Sequence, residues 1–452
     1  MASIDKNRVR ELMEREVARF VSTHARSKAL FDTAKKSLLA GVPMNWMVRW
    51  AGPYPIFAKA AKGSTIWDVD GNKYIDLCLG DTGAMFGHSP DAVVERLVRQ
   101  VGEGITMMLP TEDSIWVSEE LARRFGLPYW QIAMTATDAN RFSIRLAREV
   151  TGRSRILVVH GCYHGTVDET LVDLKAGKVV PRGGNIGPPI DPSVTTCAVE
   201  FNDIPALEAA LDSSDIACVL CEPAMTNRGI VLPGPGYHDA LREATRRTGT
   251  ILIIDETHTI CCGPGGYTRA HGLAPDMVTI GKPVGSGVPA AAFGMSQDVA
   301  DSVMDRILAD GTDESGLGGT LSGNALSVAA MRATLENVIT DKAFEQMQPL
   351  AERFEKGVAD AIAEMDVPWH VTRLGVRVEY HFCWSAPKNG TEAEDAKDAE
   401  LEKLLHLMML NRGILLTPFH NMALMSPNTT EGEVDHHTDV FRECLRDILA
   451  QG

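Results

Sequence analysis

The chain lacks any apolar run approaching the ~20 residues a membrane-spanning helix needs. Its first residues, Met1-Ala-Ser-Ile-Asp-Lys-Asn-Arg, carry charge where a secretory leader would carry an apolar core. The expected compartment is the cytoplasm. Basic charge is also in short supply: 44 Lys and Arg stand against 60 Asp and Glu, a net charge of −16. That balance argues against nucleic acid or an anionic membrane as partner. The nine cysteines are odd in number and scattered, which suits reduced thiols better than a disulfide frame. Cys218-Val-Leu-Cys221 has no second pair at zinc spacing and falls inside an apolar run, so buried packing thiols are expected there and at Cys261 and Cys262. Internal repeats and low-complexity segments are absent. What remains is an ordinary soluble composition, 44% apolar and 23% charged, in 452 residues that can form two or three domains.

The pattern along the chain changes twice. Residues 5–38 have helical spacing (Val9, Leu12, Val17, Phe20). Thr65 to Leu77 then alternates across Asp70-Gly71-Asn72, a hairpin signal. From about 80 to 325, apolar strand-like runs alternate with helical stretches. The runs are Ile156–Val159, Ala217–Cys221, Ile251–Ile254, Met277–Ile280 and Ala290–Phe293; clear helices lie at Ile204–Leu211 and Tyr237–Arg247. This predicts an α/β fold with a mostly parallel sheet covered by helices. Beyond 326, two long helices (Ala325–Ile339 and Ala343–Met365), candidate strands Arg377–Phe382 and Ile414–Thr417, and a last helix near Val434–Leu449 predict a smaller α+β region. The expected division is 1–79 (helical segment and hairpin, part of the small domain), 80–325 (large domain) and 326–452 (small domain).

In a parallel sheet, functional groups gather at the carboxyl ends of the strands. Two stand out. Ile251-Leu252-Ile253-Ile254 ends in Asp255, and Met277-Val278-Thr279-Ile280-Gly281 ends in Lys282. A cationic lysine is costly to desolvate at the end of a buried strand. One well-attested use is as a neutral amine that forms a Schiff base with a carbonyl. A lysine anchor and an acidic partner for a pyridinium nitrogen are the two groups that pyridoxal phosphate needs.

Other segments could complete such a site. Thr135-Ala136-Thr137-Asp138 opens a strongly periodic helix; it reads as an anion-binding helix start or as an ordinary cap. In His160-Gly161-Cys162-Tyr163-His164-Gly165, Tyr163 could stack on an aromatic ring. The histidines and cysteine there lack the further ligand and supporting carboxylates of a metal site, so no metal is expected. Gly318-Gly319-Thr320-Leu321-Ser322-Gly323-Asn324 is a second glycine-rich helix start.

Taken in order, Trp67-Asp-Val-Asp-Gly-Asn72, Gly87-His88, Thr151-Gly-Arg153, Gly161 to Gly165, Glu222-Pro223, Asp255-Glu256, Gly281-Lys282 and Gly319 to Asn324 resemble the class III (subgroup II) pyridoxal-phosphate aminotransferases. The nearest style is the glutamate-1-semialdehyde aminomutase and β-amino acid aminotransferase branch. The resemblance spans roughly residues 40–330 and, weakly, the remainder. It implies a fold-type-I homodimer with a shared active site and pyridoxal 5'-phosphate as cofactor. Lys282 would hold the cofactor and shuttle a proton, and Asp255 would keep the ring nitrogen protonated. Thr135, Ala136 and Thr137 would take the phosphate, with Thr320 reaching the partner subunit's cofactor. Tyr163 would cover one ring face, and Glu222 would join the network beside Asp255 or serve as a salt-bridged strand-end acid.

The sequence departs from that family in three places. Ala136 stands where the phosphate loop usually has glycine, adding a methyl near the phosphate. Thr257 and His258 replace Val and Gln or Met after Asp255-Glu256; His258 could hydrogen-bond the cofactor's phenolic oxygen. Ile260 to Gly266 replaces the usual aromatic-Arg motif. For a substrate carboxylate, Arg offers a bidentate fork. Arg49 matches the arginine that does so in the aminomutase branch, and Arg377 is a second candidate unless it pairs with Glu379 or another surface acid. Trp46 and Trp50, with Met47, Met107 and Met108, would line an apolar pocket or simply pack.

The main expectation is an aminotransferase moving an amino group from an amine or amino acid, bulky or β-type, to a keto acid or ketone by a ping-pong cycle. The alternative is an aminomutase or racemase that uses the same Lys282 and Asp255 on one substrate. A non-catalytic binding descendant is the third class, disfavoured by retention of both residues.

Overall fold

The computed structural model describes residues 4–187, 191–308 and 315–450. The chain divides into two compact units. One comprises Asp91–Phe344 and Pro387–Asp395; the other comprises Met1–Pro90, Glu345–Ala386 and Ala396–Gly452.

The first unit is built on a seven-stranded sheet, ordered Tyr129–Ala133, Ala291–Met295, Met277–Ile280, Ile251–Asp255, Ile216–Cys221, Arg155–Val159, Thr196–Val199. Five of these strands pair in parallel; Ala291–Met295 is antiparallel to both of its neighbours. The sheet is therefore mostly parallel, as the alternating strand and helix signals predict. Every residue of Ile216–Cys221 and of Met277–Ile280 is buried. Apart from Thr279 these runs are apolar because both sheet faces are covered, leaving no solvent face to demand alternation.

Helix Ala136–Thr151 shows why this sequence covers that sheet. Thr135 caps its start, accepting from Asp138 N, and Gly152 ends it at φ 65°, where a side chain would be strained. Ala139, Phe142, Ser143, Leu146 and Ala147 recur at helical spacing on its buried face. Phe142 meets Phe293 of the antiparallel strand edge-on, at 6.0 Å between ring centroids. The helix packs on the strands that end in Asp255 and lead to Lys282.

The second unit has two small sheets. The Asp70-Gly71-Asn72 signal forms the expected hairpin, Thr65–Asp68 against Lys73–Asp76, with Gly71 at φ 94°. Ile414–Leu415 adds to it in parallel, joining distant parts of the sequence. His370–Leu374, Arg377–His381 and Met422–Leu424 form an antiparallel sheet. The leading helical segment is two helices, Lys6–Thr23 and Ala25–Ala34, broken at buried His24. Phe354 on helix Asp341–Glu364 is fully buried against His437. Phe354→Ala should lower unfolding free energy by about 3–5 kcal/mol, read by denaturant titration; a loss under about 1 kcal/mol would show that this contact contributes little.

All nine cysteines carry free thiols, and burial pushes the Cys218 thiol up to about 12. Among the described residues no helix is long and apolar enough to cross a membrane.

Candidate functional site

The parallel pairing places Asp255 opposite Thr279, so Lys282 follows three residues beyond Asp255's partner on the neighbouring strand. Lys282 is half-buried and sits at φ 47°, a conformation rare for a non-glycine residue. Its Nζ lies 2.8 Å from Nε2 of His258. Gly281 before it has no room for a side chain: a Cβ there would stand 2.9 Å from the Ala136 methyl and 3.1 Å from the Ala136 nitrogen. The methyl of Ala136, the departure noted in the sequence, is thus accommodated by Gly281 across the site. Gly281→Ala should destabilise the protein by about 1–3 kcal/mol. Adding Ala136→Gly should recover part of that loss, so the two should be non-additive; strict additivity in thermal or denaturant unfolding would contradict the contact.

Asp255 is buried and fully engaged on one side. Asn140 Nδ2 and His164 Nδ1 approach its Oδ2 at 2.8 and 2.9 Å, and Thr257 N donates to Oδ1 at 3.0 Å. Asn140 is fixed in turn, accepting from Thr279 Oγ1 at 2.6 Å. Burial alone would raise the Asp255 carboxyl. The hydrogen bond and electrostatic pull of His164, with the donors of Thr257 and Asn140, outweigh it and hold the group at about 2. A carboxylate held below its unfolded value stabilises the fold above that unfolded value, and the contribution is lost as pH falls through about 2. The destabilisation caused by Asp255→Asn should therefore shrink by about 2 kcal/mol between pH 5 and pH 2. Urea unfolding of the two chains across that range measures it; a pH-independent difference would contradict the depressed value.

Glu256, next in the chain, is pushed up by burial, though Thr259, Thr268 and Tyr267 donate to it. Glu222 is buried at the end of its strand, and the hydroxyl of Thr226 donates to its Oε2. Thr135 acts as a cap: its Oγ1 accepts from Asp138 N at 3.2 Å and donates to Asp138 Oδ2 at 2.9 Å. Thr137 Oγ1 accepts from Thr166 N at 3.1 Å, and Gly165, at φ 80°, leaves it room. Tyr163 is exposed, as is Thr320. His160 Nδ1 accepts from Leu174 N at 3.0 Å, and His164 faces Asp255.

Arg49 and Trp46 both lie on the turn Asn45–Arg49, and both are exposed. The Arg49 guanidinium stands 6.0 Å from the ring centre of Phe419. Arg377 is fully buried, with Nη1 3.8 Å from Asp81 Oδ1. Burial would raise its strand neighbour Glu379, but the charge and hydrogen bond of His420 and the charges of His381 and Arg377 hold it below the usual range. Arg377 is thus in an interior polar cluster, not in a pair at the surface. Trp46, Met107 and Met108 are exposed, whereas Met47 and Trp50 are half-buried.

Asn140 escapes the sequence reading, and His164 enters it only as a metal candidate. The available signal for Asn140 was a polar side chain on the apolar face of its helix, one position after Ala139.

The donor set suits a phosphorylated pyridine aldehyde. In the first turn of a 16-residue helix, the N–H groups of Ala136 and Thr137 have no intrahelical backbone acceptor, whereas that of Asp138 is taken by Thr135 Oγ1. Thr257 Oγ1 and His164 Nε2 are buried without a hydrogen bond. Asp255 Oδ1 accepts a single bond, leaving a lone pair for a ring N–H. A lysine amine stands two residues beyond the end of the adjoining strand.

Residues 46–449 match the family model described as aminotransferase class-III. A Methanosphaera stadtmanae protein named glutamate-1-semialdehyde 2,1-aminomutase is 35% identical over 400 residues, 87% of this chain and 91% of its own. The crystal structure of a glutamate-1-semialdehyde-aminomutase from Pseudomonas aeruginosa PAO1 has a TM-score of 0.97 at 49% identity, covering 98% of this chain and 99% of that one. A lysine-to-alanine form, in complex with PMP, is equally similar. An omega-transaminase from Sphaerobacter thermophilus has a TM-score of 0.84 at 28% identity, covering 94% and 98%.

Proposed function

The chain belongs to the class-III aminotransferases, a pyridoxal-phosphate-dependent family, and from that premise we propose that it is an aminomutase. Its substrate would be one small carboxylate-bearing amino aldehyde of the glutamate-1-semialdehyde class, whose amino group it moves to the neighbouring carbon. The observation that carries the chemistry is an ionised Asp255 in register beside the strand that leads to Lys282. The choice of an internal shift over transfer to a second molecule rests on the full-length likeness to proteins named for that shift.

When bound, pyridoxal phosphate supplies an aldehyde for the amine and a protonated ring that delocalises the electron pair left by a departing proton. The chain's own residues do the rest. Asp255, held well below the usual carboxylate range, would keep the ring nitrogen protonated. Lys282 carries the proton between the two substrate carbons that exchange the amino group. The helix start at Ala136 and Thr137 holds the phosphate with backbone N–H groups. The Thr135 hydroxyl is engaged with Asp138 and contributes by fixing that turn. Tyr163 covers a ring face, Glu222 buttresses the strand ends, and Thr320 serves the cofactor of a second copy in a homodimer. Arg49 takes the carboxylate. It is exposed and free to fork, whereas Arg377 is buried beside Asp81 and Glu379.

A second reading, aminotransferase, is favoured by one feature: Trp46 and Arg49 share a single exposed turn, an aromatic ring beside a guanidinium suited to a bulky or aromatic amino acid. The test is to give the holoenzyme one amino aldehyde with no keto acid. Isomer formed at full rate supports the mutase. Turnover that appears only when a keto acid is added, with the amino group recovered in it, supports the transferase and overturns the first reading.

A further inference from the structure

The proposed aminomutase chemistry leaves the 2.8 Å contact between Lys282 Nζ and His258 Nε2 without a function. We propose that His258 is the proton partner of Lys282: its Nε2 accepts a proton from the lysine ammonium and returns it. This rests on the reading of Lys282 as the cofactor lysine. In the forward step an Nζ–H bond breaks and leaves its electron pair on Nζ. A new N–H bond forms at Nε2, and imidazole becomes imidazolium. The reverse step restores both. The amine that must attack an aldehyde thus has an acceptor within its own chain.

Three features support this assignment. The atoms are 2.8 Å apart, inside the range of direct proton transfer. Both residues are also held from behind. His258 opens the turn Thr259–Cys262, and its carbonyl accepts from Cys261 N at 3.2 Å. That turn is anchored by buried Glu256, which receives Thr259 Oγ1 at 2.5 Å, Thr268 N at 2.5 Å and Tyr267 N at 3.0 Å. Gly266, at φ 63°, lets the Glu256 carboxylate pass where a Cβ would be 2.3 Å from its Oε2. Lys282 stands at φ 47° between a glycine with no room for a side chain and Pro283. Backbone strain of this kind persists only where the surroundings fix it. Finally, an imidazole is a side chain that can take up and return a proton near neutral pH.

The test follows covalent capture of pyridoxal phosphate by the full-length cofactor-free chain, read from growth of the visible band. The expected result is a capture rate about 100-fold slower in His258→Ala, within the range for loss of a positioned acid–base group. Added imidazole should restore at least tenfold of it. His258→Gln, which keeps a hydrogen bond but cannot hold the proton, should remain slow. Affinity for pyridoxamine phosphate, which cannot condense with a lysine, should change less than threefold in both variants, showing an intact site. His258→Ala within threefold of the parent rate, failure of imidazole to accelerate it, or full recovery in His258→Gln would each overturn the proposal. Lys282→Ala separates the two readings. A visible band that forms with Lys282→Ala as with the parent would remove the cofactor lysine itself, whereas slow capture confined to the His258 variants concerns the proton partner alone.

Discussion

Lys282→Ala should lower turnover by about 10⁴-fold or more while leaving the fold intact. The side chain has two proposed tasks, nucleophile and proton carrier, and general acid–base transfer alone contributes about 10²–10⁴-fold. Truncation should be well tolerated structurally. The side chain is half-buried, and the left-handed backbone is set by its neighbours. The proposed phosphate and ring contacts are on other segments, so the variant should still bind pyridoxamine phosphate. Steady-state assays with equilibrium binding measure both halves. Retention of more than about a hundredth of parental turnover would remove Lys282 from the chemistry.

Asp255→Asn should lower kcat by about 10²–10³-fold, the range seen when one preorganised electrostatic contact to developing charge is removed. Asn is nearly the same size and can still accept from Thr257 N. It cannot hold a ring nitrogen in its protonated form, so the electron pair has nowhere favourable to go. His164 and Asn140, both aimed at Oδ2, would then face a neutral amide. The loss should fall on kcat more than on cofactor affinity. An unchanged kcat with weakened cofactor binding would reduce Asp255 to a ring anchor.

The fold was legible where local pattern and tertiary role coincide. Ile251–Asp255 and Met277–Ile280 announce themselves because buried parallel strands are continuous apolar runs, and the polar residues that follow mark the strand ends. The Asp70-Gly71-Asn72 hairpin is read just as directly. The edge strand Tyr129–Ala133 was not, since it contains Gln131 and is half-exposed, with no run to detect. Nor does sequence reveal that Ala291–Met295 runs against its neighbours: strand direction depends on how the chain returns, not on the composition of the strand. The site divides in the same way. Lys282 and Asp255 carry their own signals. Asn140 and His164 act through contacts with Asp255 that span 115 and 91 residues, and in the sequence His164 stands out only beside His160 and Cys162. The sequence suggests His258 as a partner for a cofactor oxygen; its contact with Lys282 Nζ, which crosses 24 residues, has no local signal. Arg377 shows the converse case. Strand alternation alone does not distinguish a surface ion pair from a fully buried guanidinium beside half-buried Asp81 and buried Glu379.

The central claim is that Lys282 holds the cofactor beside an ionised Asp255, and borohydride reduction of the holoenzyme followed by peptide mass mapping tests it most directly. The account predicts a single pyridoxyl modification, on the peptide carrying Lys282, with loss of activity in step with its appearance. Modification of another lysine, or none despite bound cofactor, would contradict it.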